Sequence, residues 1–326
     1  MSTQLTTPLP ALPPMGRSVR AYFAPVDRVH RLPTLFDPSV NGRFLTNTPP
    51  TPWMDLGWIE DFARKSASKF GELVTGSPAT TQFQVRETVD ATVSLRFKAW
   101  SKLSMALAAG SQHMNLIVPA AGGAANGSGS KGVPPVSLAA GSTTTLLSMA
   151  ASDAAKFVAG SLVTVDVDYT GQTGFVGSGV CAAYVSSAAA VNNDPDYIRR
   201  VSFNVARIAS STPTGLQLAQ PLIAGAPTAT MRVQPISGFV DREGGSFFQE
   251  WSALFVIDGE QGERILFHYP RLQSMGGAAE AATALISPLE RIALSATFRA
   301  LPVTDANDGE QVVCFRTFLP SPATLI

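Results

Sequence analysis

A mainly antiparallel β fold with a few short helices is what this sequence predicts, on three observations. Thr81 to Lys98 alternates with period two, placing Val93, Leu95 and Phe97 on one face and Ser94, Arg96 and Lys98 on the other. The alternation strengthens after Pro235, where Trp251, Ala253, Phe255 and Ile257 lead through DGEQGE to Ile265, Phe267 and Tyr269 as a hairpin. The helical signals, by contrast, are short.

Residues 1–50 carry prolines every few positions, each removing a backbone donor and biasing its predecessor to extended structure, so they read as an extended arm. Tyr22, Phe23, Leu35, Phe36 and Phe44 are more apolar surface than a free tail carries, so the arm is expected to lie against a surface, its own domain's or a neighbour's. Trp53 opens the folded part. After the strand at 81–98, Ser101 can cap a helix whose Leu103, Ala106 and Leu107 share a face, and Gly110 can end it in the left-handed region. Its leucine face is expected to pack on the sheet of the preceding strand.

The run AAGGAANGSGSKG (120–132) has almost no side chain to bury and reads as a linker. Beyond it Val163, Val165, Val167 and Tyr169 alternate with Thr164, Asp166 and Asp168, and Ile198 to Ile208 and GLQLAQPL follow across polar turns. These strands suggest a small inserted β-barrel or sandwich over 133–235, with one short helix in Ser148–Ala159. The last strands read as Ile292–Leu301 and Gln311–Phe318, joined by the turn DANDG. The expected organisation is an arm at 1–50, a main β-domain from 51–132 and 236–326, and the insert between.

The chain has 326 residues, with 24 Lys or Arg against 24 Asp or Glu, so no long-range field recruits nucleic acid or a membrane surface. Charged residues make up 15% of the chain, against ~25% in an ordinary soluble domain. A surface with neither net charge nor charge density favours coverage by other subunits. Cys181 and Cys314 lie far apart, with no secretory segment before them and no apolar run of membrane-spanning length, so a soluble protein made in a cytoplasm is expected.

Motifs for chemistry are weak. His30, His113 and His268 sit in three different regions, with no second metal ligand at helical or hairpin spacing. Gly177-Ser178-Gly179-Val180-Cys181-Ala182 fits a loose dinucleotide pattern but lacks the βαβ context, and GSGSKG lacks the end of a phosphate loop, leaving Lys131 a solvated charge. Asp166 with Asp168, Asp194 with Asp196 and Asp305 with Asp308 read as wet strand faces and turn caps rather than calcium or acid/base sites. Asp241-Arg242-Glu243 reads as a solvated turn. No catalytic residue, cofactor or metal site is expected. Trp100 and Trp251, inside alternating segments, read as core; Trp53 and Trp58 can be core or interface.

The stretch Trp53–Asn115, in particular VRETVDATVSLRFKAWSKLSMALAAGSQHMN, resembles the major tail tube proteins of long-tailed bacteriophages. So does the ending from EWSALFVIDGEQGERILFHYPRL to LERIALSATFRALPVTDANDGEQVV, the two together covering about half the chain. The resemblance implies a tail-tube-like antiparallel β-sandwich with a flanking short α-helix, whose sheets join those of neighbours into rings that stack into a hollow tube passing DNA. It implies a virion structural protein, not an enzyme, whose partners are itself, the tape measure and terminator proteins, and DNA in transit without specific binding. Rings are hexameric if each chain supplies one tube domain and trimeric if a tandem is hidden. Inner-wall strands are expected from Thr81–Lys98 and Phe247–Tyr269, and inter-subunit contacts from Tyr22, Phe23, Phe36, Phe44, Trp53, Trp58, His113 and Asn115. The alternatives are another virion part (tail terminator, adaptor or capsid decoration protein) and a carbohydrate-binding adhesin displayed by the insert.

Overall fold

A computed structural model of the chain describes residues 16–27, 30–110, 112–117, 135–167, 183–184, 204–222, 225–243, 249–260, 262–276, 279–286 and 289–321. In chain order the elements begin with β1 (Gly16–Pro25), α1 (Pro38–Asn41), β2 (Met54–Thr75), β3 (Thr80–Phe97), α2 (Lys102–Ala109) and β4 (Gln112–Ile117). Next come β5 (Val136–Ser137), β6 (Leu146–Ser148), α3 (Ala151–Ala154), β7 (Leu162–Val167), β8 (Ala183–Tyr184), β9 (Val205–Thr212), β10 (Gly215–Leu218) and β11 (Met231–Arg242). The last are β12 (Glu250–Gly259), β13 (Arg264–Ser274), β14 (Ala279–Ile286), β15 (Leu289–Ala300), β16 (Val303–Thr304), β17 (Gln311–Val312) and β18 (Phe315–Leu319). The mainly β, antiparallel class expected from the sequence is what forms.

The chain divides into two compact units, one of Met1–Ala24, Pro33–Trp100 and Trp251–Ile326, the other of Pro25–Leu32 and Ser101–Glu250. The second unit is therefore wider than the expected insert. It takes in the helix and β4, because these lie against and pair with β11. The linker at 120–132 lies outside the described residues.

In the first unit the strand order is β14-β15-β3-β2-β1-β12-β13-β18, and β13 pairs also with β15 through Leu272↔Ala300, Gln273↔Arg299 and Ser274↔Phe298. The sheet of the first unit thus closes on itself within one chain. Contacts across the ring fill its interior. Phe23 on β1 meets Phe298 on β15 (5.8 Å between ring centroids), and Phe62 on β2 meets Phe255 on β12 (4.8 Å) and Phe267 on β13 (5.9 Å). Phe23, Phe255 and Phe298 are buried there, and Phe62 and Phe267 are partly buried.

The outer face of β1, β12 and β13 is buried too. Tyr22, Ala24, Leu254, Val256 and Leu266 pack with Phe36 and Trp53, which arrive from the segment 33–53. This segment is a strap across its own unit, pinned by side chains. Ser252 Oγ accepts from Thr34 N (2.9 Å) and donates to Pro270 O (2.7 Å), while Tyr22 Oη donates to Thr46 O (2.8 Å). The Pro-rich arm of 1–50 is thus a structural part from Gly16 onward. Gly16–Ala24 contains no proline, and as β1 it lies between β2 and β12 with Ala21, Tyr22, Phe23 and Ala24 fully enclosed. Two covered faces also explain why Trp251–Val256 is buried at every position instead of alternately.

The second unit carries the sheet β6-β10-β9-β7-β11-β4-β8, with β5 also on β11. Leu147, Phe157, Val163, Val165, Ile208, Leu216 and Val233 belong to one apolar cluster on one side of it. Thr164, expected to face water, is buried on the other side, where Asn115 Nδ2 donates to its Oγ1 (3.2 Å). Helix α2 forms as its caps predict: Ser101 Oγ accepts from Ser104 N (3.0 Å), and Gly110 takes a φ of 63°. Within the second unit it lies against β11.

Candidate assembly interface

The strands β2 and β3 pair from Ile59↔Phe97 out to Thr75↔Thr80. Near the barrel each has a second neighbour: β1 beside Met54–Ile59, and β15 beside Thr92–Phe97. From Ser66↔Ala91 outward, among the described residues, the hairpin is two strands alone. At ~3.3 Å per residue, the pairs from Ser66↔Ala91 to Thr75↔Thr80 make a ribbon roughly 30 Å long.

The ribbon exposes large apolar side chains. Leu73 and Phe83 are direct cross-strand partners, 58% and 62% exposed, and Val85 beside them pairs with Gly71 and is 51% exposed. On the other face Phe70 is 44% exposed and lies under the Arg86 guanidinium, 5.8 Å from the ring centroid. A Cβ on Gly71 would come within 2.6 Å of Glu87 Oε1, so the glycine leaves room for Glu87 to reach Lys69 Nζ (2.8 Å). The turn uses Gly76 at a φ of 100°, where other residues are strained.

Polar contacts tie the ribbon's base to the barrel. Arg64 Nε donates to Tyr269 Oη (2.9 Å) with its guanidinium 5.2 Å from the Phe267 ring centroid, and burial pushes the Tyr269 hydroxyl pKa up to about 12. Arg299 Nε lies 3.3 Å from Asp90 Oδ1, and Arg96 Nη2 3.0 Å from Asp61 Oδ2. An isolated two-stranded hairpin is marginal in water, and one with apolar side chains on both faces and an unpaired outer strand is a template for another chain. Strand addition is the chemistry this arrangement offers: backbone N–H and C=O groups supply the attraction, and the side-chain rows supply the selectivity.

The expected contact residues fall in several places. Tyr22, Phe23, Phe36 and Trp53 are buried in the first unit, and Phe44 is half-buried against Tyr22 and Phe36 (5.1 and 5.9 Å between centroids). Trp58 is 38% exposed beneath Arg20, whose guanidinium is 5.1 Å from the ring centroid and is held by Asp55. Asn115 is buried in the second unit; His113 lies on β4, and its side chain is outside the described residues. Trp251 is core as expected, whereas Trp100, just past the end of β3, is 43% exposed.

The strand read at 81–98 matches β3 along its whole length, whereas its partner β2 is missed by sequence reasoning. The alternation that marks β3 rests on Val93, Leu95 and Phe97, which are buried, while the 22 residues of β2, which make the ribbon long, carry no such buried row along their outer half. The available signal was the stretch KFGELVTGSPATTQFQV, where aromatic and branched residues flank a Gly-Ser-Pro turn.

Of the remaining polar candidates, Lys131, Asp168, Asp194, Asp196 and the run 177–182 lie outside the described residues. His30 is exposed and lies 2.8 Å from Asp27. In the DANDG turn, Asp305 Oδ1 accepts from Asn307 N (2.9 Å) and Asp308 Oδ1 from Glu310 N (2.9 Å), the expected backbone capping. Cys314 is a free thiol whose pKa burial raises; Cys181 lies outside the described residues. Among the described residues no group of His, Cys, Asp and Glu is arranged to hold a metal, and no helix is long and apolar enough to cross a membrane. Compared with known proteins, the chain matches no family model and no curated protein.

Proposed function

We propose that this chain is a virion structural subunit whose copies assemble into stacked rings forming a phage tail tube, a conduit for genome delivery. The observation that carries the reading is the β2–β3 ribbon, which exposes Leu73, Phe83 and Val85 on one face and Phe70 on the other with a free outer strand. One copy has nothing among its described residues paired to its outer edges, and in this reading a neighbouring copy supplies the cover. The resemblance of Trp53–Asn115 and of the C-terminal strands to tail tube proteins points the same way. Because aromatic side chains fill the closed sheet of one chain, the conduit in this reading runs between copies. The chain's zero net charge gives no overall basic surplus to drive the counterion release by which basic surfaces bind phosphate tightly.

Negative-stain electron microscopy of the concentrated protein tests this. Stacked rings or tubes support it, and a strict monomer at every concentration and salt overturns it. A single ring that never stacks supports instead a tail terminator or adaptor.

A further inference from the structure

The strap 33–53 covers its sheet without joining it: no residue from Pro33 to Trp53 belongs to a strand. Side chains hold it instead. Thr34 N donates to Ser252 Oγ, Tyr22 Oη to Thr46 O, Arg264 Nη1 to the carbonyls of Gly42 and Phe44, and Arg43 to those of Gly262 and Pro320. Lifting the strap breaks these bonds and the packing of Phe36 and Trp53 on Tyr22, Leu254, Val256 and Leu266, but no strand ladder, and the ring of strands closes without it through Leu272↔Ala300. A segment attached in this way opens at a lower free energy than the sheet beneath it.

One ionisable ring lies in the seam. His268 on β13 is 5% exposed, roofed by Phe36 and Trp53 of the strap and stacked on Phe315 of β18. It bonds the Thr34 backbone, and its Nε2 has no partner, so a second ring proton would leave an enclosed, unmatched donor on a charged ring. The charged and titratable groups of the surrounding elements are engaged elsewhere. On the strap, Asp37 accepts from Ser39, and Arg43 is held as above; on β12 and β13, Asp258 and Arg264 hold each other; on β1, the Tyr22 hydroxyl serves Thr46. Next to Phe315, Arg316 and Cys314 fall on the opposite sheet face, Arg316 beside Phe267 and Cys314 near Tyr269.

We infer that acid releases the strap: protonation of His268 frees Phe36 and Trp53 from β1, β12 and β13 while the closed sheet stays folded. With the strap shut the ring titrates at about 4, because burial disfavours its charged form; in the open form it meets water and its ordinary value of 6.5 returns. The open form therefore binds the proton first, opening is favoured as the pH falls through 6.5, and the gain levels off below 4. An apolar face that neutral solution keeps covered is then exposed.

Hydrogen exchange of the full chain at pH 7 and pH 4.5, each corrected for the intrinsic exchange rate, tests this. From the two pKa values the open population rises roughly fifty-fold over that interval, so peptides within 33–53 should lose protection by about that factor while peptides of β1 and β12 keep theirs. His268→Phe, which cannot take the proton, should hold the strap's protection at both pH values. His268→Gln, which keeps a polar group for Thr34 and likewise stays neutral, repeats the comparison if the phenylalanine ring does not pack. Strap protection unchanged in the parent overturns the inference, and so does a loss shared equally by β1 and β12, because the opening is then global. A neutral variant whose strap opens in acid as the parent's does overturns the assignment to His268.

Discussion

Arg264 and Asp258 form a paired clamp at the start of the β12–β13 hairpin: Arg264 Nε donates to Asp258 Oδ1 at 2.6 Å and Nη2 to Oδ2 at 3.3 Å. The remaining nitrogen, Nη1, donates to the carbonyls of Gly42 (3.1 Å) and Phe44 (2.8 Å), and the guanidinium sits 5.2 Å from the Phe44 ring centroid. One buried side chain thereby joins the strap 33–53 to the strands it covers. Replacing it removes those donors while the carbonyls stay enclosed.

Arg264→Met is therefore expected to destabilise the first unit by about 2–3 kcal/mol, since each buried acceptor left unmet costs ~1–3 kcal/mol. The urea unfolding midpoint checks this. Arg264→Lys should recover only part of the loss, because an ammonium cannot span the carboxylate and both carbonyls.

His268 makes the strap sensitive to acid. Its ring lies among Phe36, Trp53 and Phe315 (centroid distances 6.4, 5.7 and 5.7 Å), and its Nε2 has no hydrogen-bond partner. Burial lowers its pKa from 6.5 to about 4, against a smaller opposing contribution from a hydrogen bond with the Thr34 backbone. The unfolded chain takes up the proton first, so stability contributed by the neutral ring is complete above about pH 6.5 and lost as the pH falls towards 4. The loss reaches about 3 kcal/mol at ~1.4 kcal/mol per pH unit. Comparing unfolding midpoints at pH 7 and pH 4.5 should show a smaller drop for His268→Phe than for the parent; equal drops contradict the assignment.

Leu73→Asp with Phe83→Asp places charge on the apolar face of the ribbon. Both side chains are exposed, but as direct cross-strand partners the two aspartates also repel, so the isolated chain should lose no more than about 2 kcal/mol. Assembly, read by sedimentation and microscopy, should be lost. A large drop in stability with assembly retained contradicts the role given to this face.

Gly215, at the start of β10, takes a φ of 142°, and a Cβ there would lie 2.0 Å from the Leu147 carbonyl oxygen of the paired strand β6. Gly215→Ala is expected to destabilise the second unit by more than about 1 kcal/mol, because backbone and not a flexible side chain has to move. Hydrogen exchange localised to β6, β9 and β10 measures it.

What the sequence by itself determined is what short-range physics decides. Ser101 and Gly110 bound α2 because capping involves backbone groups within one turn, and DANDG turns because Asp carboxylates accept from amides two residues on. The hairpin Trp251–Tyr269 was legible because alternating apolar residues flank a polar Gly turn. Tertiary structure decided the rest. Gly16–Ala24 looked like part of an arm because its partners, β2 and β12, lie far along the chain, and the strap's anchor joins Thr34 to Ser252. Closure rests on Leu272 meeting Ala300, and the ribbon is exposed because β1 and β15 stop beside its base. Periodicity reports which face of a strand is apolar, but not which distant segment covers it or where its neighbours end.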